Sequence, residues 1–574
     1  MKQYRSASQI LFGFLPEQTV DLEGKVWKIS QWRSPIRQHI DDTALRQELL
    51  RLAAPWESQR TDNNYGQHLR QGRDLVVLSL DRNNGVSAES FPDMWMCKQC
   101  KRLHANLVAQ CQCGSKRIGQ LPFVGFHDCG ALFTPSIQRC PDHKQVKVIL
   151  PGTSSARDIA FVCPVCQRKL QQGFGYVRCR CGGGEIQFNV HRASPVYTPR
   201  SVVVVNPPSP ERVRRLADAG GEERALTWAL DGCSTRHYDE VGTTRDSLAK
   251  DLLARGLPAD LVERMVGQAE GAGALAADRG FGTLSDARRR EAARSAVTLA
   301  MALDVSRVRL ADLTNGADGQ WSDLANLYRH TYPSEIDRAG LETVELIDRF
   351  PILTGNYAYT RGDSTPGVSH LKPFMDRRRY VVYADVAETE ALLVKLRPSL
   401  VARWLVQRGL TLPEWTDERS ARLSILSMID VPLPGSSPAT SPTVGEMVLR
   451  LVHSYSHRFI RRASVFAGID RNALSELLVP HHLSFIVYAA ARGDFVLGGL
   501  QAVFETELHN LLREVVLGDH RCALDPGCTH AGGACMACLH IGEPSCRYYN
   551  QFLDRQCLFG ATGYLQLAVG SRNQ

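Results

Sequence analysis

Close cysteine pairs are the residues of this chain whose type and spacing most directly prescribe a chemistry. Cys97-x2-Cys100 is followed, after ten intervening residues, by Cys111-x-Cys113-Gly114. Cys163-x2-Cys166 is followed, after twelve, by Cys179-x-Cys181-Gly182. Each pair sets two sulfurs on one tight turn, and two such turns supply the four thiolates of a tetrahedral zinc site. The glycine after each second pair lets the turn adopt a positive φ. The expected grouping is one zinc ribbon from Cys97, Cys100, Cys111 and Cys113, and a second from Cys163, Cys166, Cys179 and Cys181. Between them, His127-x-Cys129 and Cys140-x2-His143 have the composition of a third, Cys2His2 site. A packed histidine beside a reduced thiol accounts for those four residues equally well. Spacing also leaves open whether the pairs ligate in chain order or across one another.

A further cluster holds Cys522, Cys528, Cys535-x2-Cys538 and Cys546, five sulfurs for four positions. Cys528, Cys535, Cys538 and Cys546 are the expected ligands, Cys528 being preferred to Cys522 because it lies nearer the Cys535–Cys538 turn. Cys233 and Cys557 are expected to pack as small apolar side chains. The chain should therefore carry about three to four zinc ions, bound in four-ligand sites that leave no position for a reacting water. That is the chemistry of a scaffold.

Other reactive patterns are incomplete. The phosphate-cradling G-x4-G-K-[ST] loop is absent, and the one Gly-Lys pair, Gly24-Lys25, is followed by Val26. His453 and His457 stand at i and i+4 on a helical pattern, but residue 454 is Ser where a zinc peptidase has its glutamate base, so a packing or polar core role is expected. His370-Leu-Lys372 with Asp376 falls one residue short of a phosphodiesterase motif and has no second copy. No catalytic residue is assigned. Arg288–Arg290, Arg377–Arg379 and Arg458, Arg461 and Arg462 could meet phosphates, and Tyr359 beside Arg361 could stack on a base. Solvated helix faces, interface ion pairs and core packing are the plainer accounts of the same residues.

The elements that must position these side chains read as α+β in several domains. At 574 residues the chain exceeds a single core, and 44% hydrophobic with 22% charged residues is ordinary for a folded protein. Residues 1–91 show strand-like apolar runs around Val26–Trp32 and Leu75–Leu80 with helix between, a mixed α/β domain. Residues 92–200 form a tandem zinc-ribbon region with little apolar core. Residues 201–344 are mainly helical after the strand SVVVV and its prolines. Residues 345–574 combine a long amphipathic helix from Val444, the strand LSFIVYAA and the cysteine tail. PGSSPATSP at 435–443, GQAEGAGALAADRGFG and TNGADGQ are expected as loops. No apolar run reaches the length of a membrane span, and the amino terminus lacks the continuous apolar stretch of a signal peptide. A cytoplasmic location follows as the expectation, where thiols stay reduced and paired cysteines mean metal rather than disulfides. The net charge of +8 permits an anionic partner without requiring one.

Two stretches carry a resemblance. PILTGNYAYTRGD (351–363), LVHSYSHRFIRRA (451–463), LGGL (497–500) and CALDPGC…CMACLHIGEPSCRYYNQFLDR (522–555) occur in that order. The series resembles the zinc-binding domain at the end of many superfamily-2 helicases, which also occurs as a free-standing protein. YRSASQILFGF (4–14), LPFVGFHDCGALFTP (121–135) and HRASPVYTPRSVVVVNPP (191–208) resemble the amino-terminal half of the free-standing form, the family of the B subunit of the bacterial DISARM anti-phage system, DrmB. Two departures stand out: Phe12-Gly-Phe-Leu-Pro16 replaces a Gly-Pro-Gly turn, and Ala358 replaces a glycine in Tyr357-Ala-Tyr-Thr-Arg361. The resemblance implies a bacterial accessory subunit without an ATP engine, paired with a superfamily-2 helicase subunit (DrmA-like) and engaging phage DNA through that complex. A protein-only assembly platform and a stand-alone metal-dependent hydrolase or nuclease are the alternative readings.

Overall fold

The structure is a computed structural model. It describes residues 7–40, 42–59, 64–80, 85–151, 156–240, 248–249, 252–253, 255–271, 280–282, 284–304, 306–317, 322–363, 365, 368–433, 438–490, 498–530, 532–542, 546 and 548–570. The chain forms two compact units, each of two segments: Met1–Pro207 with Leu353–Ala387, and Pro208–Ile352 with Glu388–Gln574. The segments 1–91 and 92–200 thus share a unit, and 345–574 is divided. No composition break marks that division, because it falls inside two long strands, Leu341–Thr360 and Arg379–Leu396.

In the first unit, Leu75–Ser79 pairs in parallel with Tyr380–Tyr383 and antiparallel with Ile36–Gln38. The helix Asp42–Gln59 packs Leu45, Leu49, Ala53 and Trp56 on this layer. Their spacing of three to four residues is one helical face, and it closes on Val202, Val204, Leu353, Tyr357, Tyr380 and Val382. Burial of each large side chain contributes about 1.5–3 kcal/mol. A separate three-stranded sheet joins Thr19–Leu22, Lys25–Arg33 and Gly85–Ser90.

The region of paired cysteines is different in kind. It holds three miniature antiparallel sheets, with strands of two to four residues. They are Trp95–Cys97, Leu103–His104 and Ile118–Gln120; Phe123–Phe126, Leu132–Phe133 and Gln187–Val190; and Lys147–Ile149, Ala160–Val162 and Lys169–Gln172. Two small cores serve them, one with Phe174 ringed by Phe123, Phe161 and Phe188, the other around Val124, Phe126 and Val196.

The second unit is α+β. Its helices include Gly221–Leu230, Ala259–Gly271 and Asp286–Leu303, where the helical middle is expected. Ser484–Ala489 pairs antiparallel with Ala391–Lys395 and with Leu474–Val479. The helix Val444–Ala467 is capped by the Thr443 side chain and ends at Gly468, whose φ of 64° suits glycine. It is buried along most of its length. Gly445 in its first turn admits no side chain, since a Cβ there would lie 1.9 Å from the Asp430 carbonyl oxygen. The expected loops at 435–443, 267–282 and 314–320 lie partly outside the described residues, as does Leu497 of LGGL. Residues 267–271 and 314–317 are not loop: they end the helices Ala259–Gly271 and Leu310–Ala317. No helix among the described residues is long and apolar enough to cross a membrane.

Candidate metal centres

Each miniature sheet ends in two turns that face each other, and each pair of turns brings four donor atoms together. Cys97 Sγ lies 3.6 Å from Cys113 Sγ, and Cys100 Sγ 3.5 Å from Cys111 Sγ. These four form one cluster, in the grouping read from spacing. A tetrahedron with zinc–sulfur bonds of about 2.3 Å has edges of about 3.8 Å, so the separations fit one shared ion and are far beyond a disulfide's. Gly114 and Gly182 take φ of 83° and 78°, as the turns require.

The next two clusters correct the chain-order grouping. His127 and Cys129 converge with Cys179 and Cys181, and Cys140 and His143 converge with Cys163 and Cys166. Cys129 Sγ is 3.6 Å from Cys179 Sγ, and Cys181 Sγ is 3.4 Å from His127 Nδ1. His143 Nδ1 faces Cys140 Sγ at 3.5 Å and Cys163 Sγ at 3.6 Å. One ribbon is nested inside the other. The strand pairing explains it: Phe123–Phe126 pairs with Gln187–Val190, which draws the outer turns together and leaves the inner ones to close on themselves. A Cys163→Ser/Cys179→Ser double variant should therefore lose two zinc equivalents by elemental analysis, because the cysteines serve different sites. Loss of only one from folded protein would restore the chain-order grouping.

In the tail, Cys522, Cys528, Cys535 and Cys538 form the cluster, with Cys522–Cys535 and Cys528–Cys538 sulfur separations of 3.5 and 3.6 Å. Cys522 thus takes the place expected for Cys546. The intervening CALDPGC segment folds back, helped by Asp525 accepting the Cys522 N–H, so proximity in sequence misleads. Cys546 lies instead beside His453, His457 and Glu476, and all four are buried. Glu476 had no signal in the sequence, being one polar residue of the strand Leu474–Val479.

Within the clusters neighbouring sulfurs shift one another in opposite directions. Burial opposes charge on Cys97, yet N–H groups of Cys100 and Gln99 and the neighbouring sulfurs draw its thiol down to about 6. Burial and the adjoining sulfurs push Cys111 up to about 12 and Cys129 up to about 11. Three or four sulfurs this close can all ionise only around a positive ion. Backbone N–H groups aimed at Cys163, Cys181 and Cys522 sulfurs support the ionised form. The donor sets are two of four cysteines and two of three cysteines and one histidine, all with closed coordination. They point to several structural zinc sites.

The basic residues fall into two classes. Arg458 donates to the carbonyls of Glu514, Val515, Gly518 and Asp519, capping the helix Leu508–Leu517. Desolvation lowers its guanidinium to about 10. Arg461 donates to the carbonyls of Met536, Ala537 and His540, holding the Cys535–Cys538 turn, and Arg462 donates to Asp519 O. Tyr359 is buried and stacked on Tyr197, and Arg361 is fully buried. These side chains, expected as nucleic-acid contacts, have their donors or faces engaged by the protein itself. Arg288 and Arg289 pair with Glu291 and Glu223. Arg377 and Arg378 differ: they form the exposed tip of a hairpin between Met375–Asp376 and Arg379–Leu396, with Arg379 held by Asp376 at 2.5 Å.

Residues 6–204, about a third of the chain, match a family described as a domain of unknown function (DUF8724). That span contains the three amino-terminal clusters. No curated protein matches the chain.

Proposed function

We propose that this chain is a non-catalytic, zinc-scaffolded accessory subunit of a helicase complex that engages phage DNA, a DrmB-like component of DISARM defence. The observation that carries the reading is the convergence of four protein donors in each cysteine cluster, in a chain without a phosphate-binding loop. Four protein ligands per cluster leave nothing for water activation, so the metal contributes shape and not reactivity. The resemblance at 351–363, 451–463 and 522–555 supports a superfamily-2 helicase as partner. Co-expression with such a subunit is expected to yield a stable complex, and the isolated chain is expected to show no ATP turnover. Failure to co-purify with the helicase would remove the partner assignment.

Contact with DNA is assigned to the exposed hairpin tip. Arg377 and Arg378 project two guanidinium groups with no acidic partner among the described residues. Contacts of this kind fix position on a phosphate backbone and do not read bases. In the complex, Arg377→Ala/Arg378→Ala should lower the salt slope of log K by about 0.9 per lost contact on duplex, or about 0.7 on single strands. Unchanged affinity and slope would favour the protein-only platform.

A further inference from the structure

The group around Cys546 does not belong to the four cysteine-rich clusters and has no assigned role. His453 and His457 lie one turn apart on the helix Val444–Ala467, Glu476 on the strand Leu474–Val479, and Cys546 in the carboxy-terminal tail. One donor atom from each lies within 4.8 Å of every other. His453 Nε2 is 3.2 Å from Cys546 Sγ and 3.1 Å from Glu476 Oε1, and His457 Nε2 is 3.3 Å from the same carboxylate oxygen. Zinc bonds of about 2.0–2.3 Å to nitrogen, oxygen and sulfur give tetrahedral edges of about 3.3–3.6 Å, close to these separations.

Hydrogen-bond accounting makes the same point. His457 Nδ1 stands 2.9 Å from the Leu539 carbonyl oxygen, which can only accept, so this nitrogen carries the proton. In the neutral ring Nε2 then presents a lone pair to Glu476 Oε1, and a carboxylate oxygen presents another. Two acceptors at 3.3 Å repel unless a proton or a metal cation lies between them, and a metal ion would also engage His453 and Cys546 at the same point. The remaining contacts are those of an oriented ligand shell. Leu539 O fixes the His457 tautomer, Ser456 Oγ donates to Glu476 Oε2 at 2.6 Å, and the Asn550 N–H donates to Cys546 Sγ at 3.3 Å.

We propose that His453, His457, Glu476 and Cys546 form an additional metal site, a closed structural centre for a divalent ion of zinc's class. Two imidazoles, a carboxylate and a thiolate are a borderline donor set that suits zinc. All four side chains are at most 2% exposed, so no position is open to solvent or substrate. The ion would join the long helix and its neighbouring strand to a tail residue 93 positions from His453. It pins the segment that follows the Cys535–Cys538 turn, while the cysteine cluster holds the segment before it.

The test is metal content of the full-length chain by elemental analysis and native mass spectrometry, with zinc alone as the probe. The wild-type protein is expected to bind five zinc ions, and Cys546→Ser and Glu476→Gln each one fewer, with the other clusters still loaded. Either variant, folded and carrying the wild-type complement, would overturn the proposal. If neither variant can be purified, the wild-type count decides: five supports the site, and four or fewer defeats it.

Discussion

Chelation of zinc from the wild-type chain is expected to unfold residues 94–190 while the helix Val444–Ala467 stays protected. The three miniature sheets have strands of two to four residues, too short to be stable on backbone pairing alone. Their cores are small, one cluster around Leu103, Leu121, Phe161 and Phe174 and another of Val124, Phe126 and Val196. Cores this small leave the folding of the region dependent on cross-links other than apolar burial. Structural zinc supplies about 10–16 kcal/mol per site at neutral pH, which makes metal binding and folding one event there. The long helix is held by packing instead, with Val448, Leu451, Val452, Tyr455 and Phe459 fully buried. Limited proteolysis with and without a strong zinc chelator should therefore yield cuts across the ribbon region first. An unchanged cleavage pattern in metal-free protein would show that the sheets do not depend on the clusters. Cys97→Ser should reproduce the effect locally, within the first ribbon.

Much of this metal chemistry was legible in the sequence because a tight turn is a local object. Cys97-x2-Cys100 and Cys163-x2-Cys166 announce knuckles whatever surrounds them, and the glycines at 114 and 182 mark the turns' handedness. Which knuckle faces which is decided by strand pairing between Phe123–Phe126 and Gln187–Val190, some sixty residues apart, and no spacing rule carries that. The nested ribbons were lost for that reason, and the choice of Cys522 over Cys546 because the fold-back at Asp525 is no more visible in spacing. The helix Val444–Ala467 and the strand Ser484–Ala489 follow directly from apolar periodicity. The fate of the arginines does not. A basic residue on an amphipathic helix reads as solvent-facing, whereas Arg458 turns inward to cap the end of the helix Leu508–Leu517 and Arg461 to hold carbonyls of the cysteine tail. Such carbonyls are supplied by loops and helix ends whose position no local pattern encodes.

Arg361→Ala is expected to destabilise the first unit by roughly 3–9 kcal/mol, since it strands three carbonyl groups at about 1–3 kcal/mol each. Arg361 Nε donates to Gly130 O at 2.9 Å, Nη1 to Val196 O at 2.6 Å and Nη2 to Glu17 O at 2.9 Å. Its guanidinium also lies over the Tyr359 and Tyr197 rings, 5.1 and 5.6 Å from their centroids. Gly130 belongs to the turn that carries His127 and Cys129, its N–H bonded to His127 O at 3.0 Å. The guanidinium thus clamps one knuckle of the nested outer ribbon, and loosening it should speed zinc release from that site. Arg361→Lys should recover little, because a single ammonium cannot span three acceptors set out for a planar fork. The measurement is the denaturant midpoint of both variants together with the rate of zinc transfer to a chromogenic chelator. If Arg361→Ala keeps wild-type stability and zinc retention but weakens DNA binding in the proposed complex, Arg361 is a nucleic-acid contact after all. Loss of stability and faster zinc release place it in the scaffold, where its buried fork holds the metal turn in register.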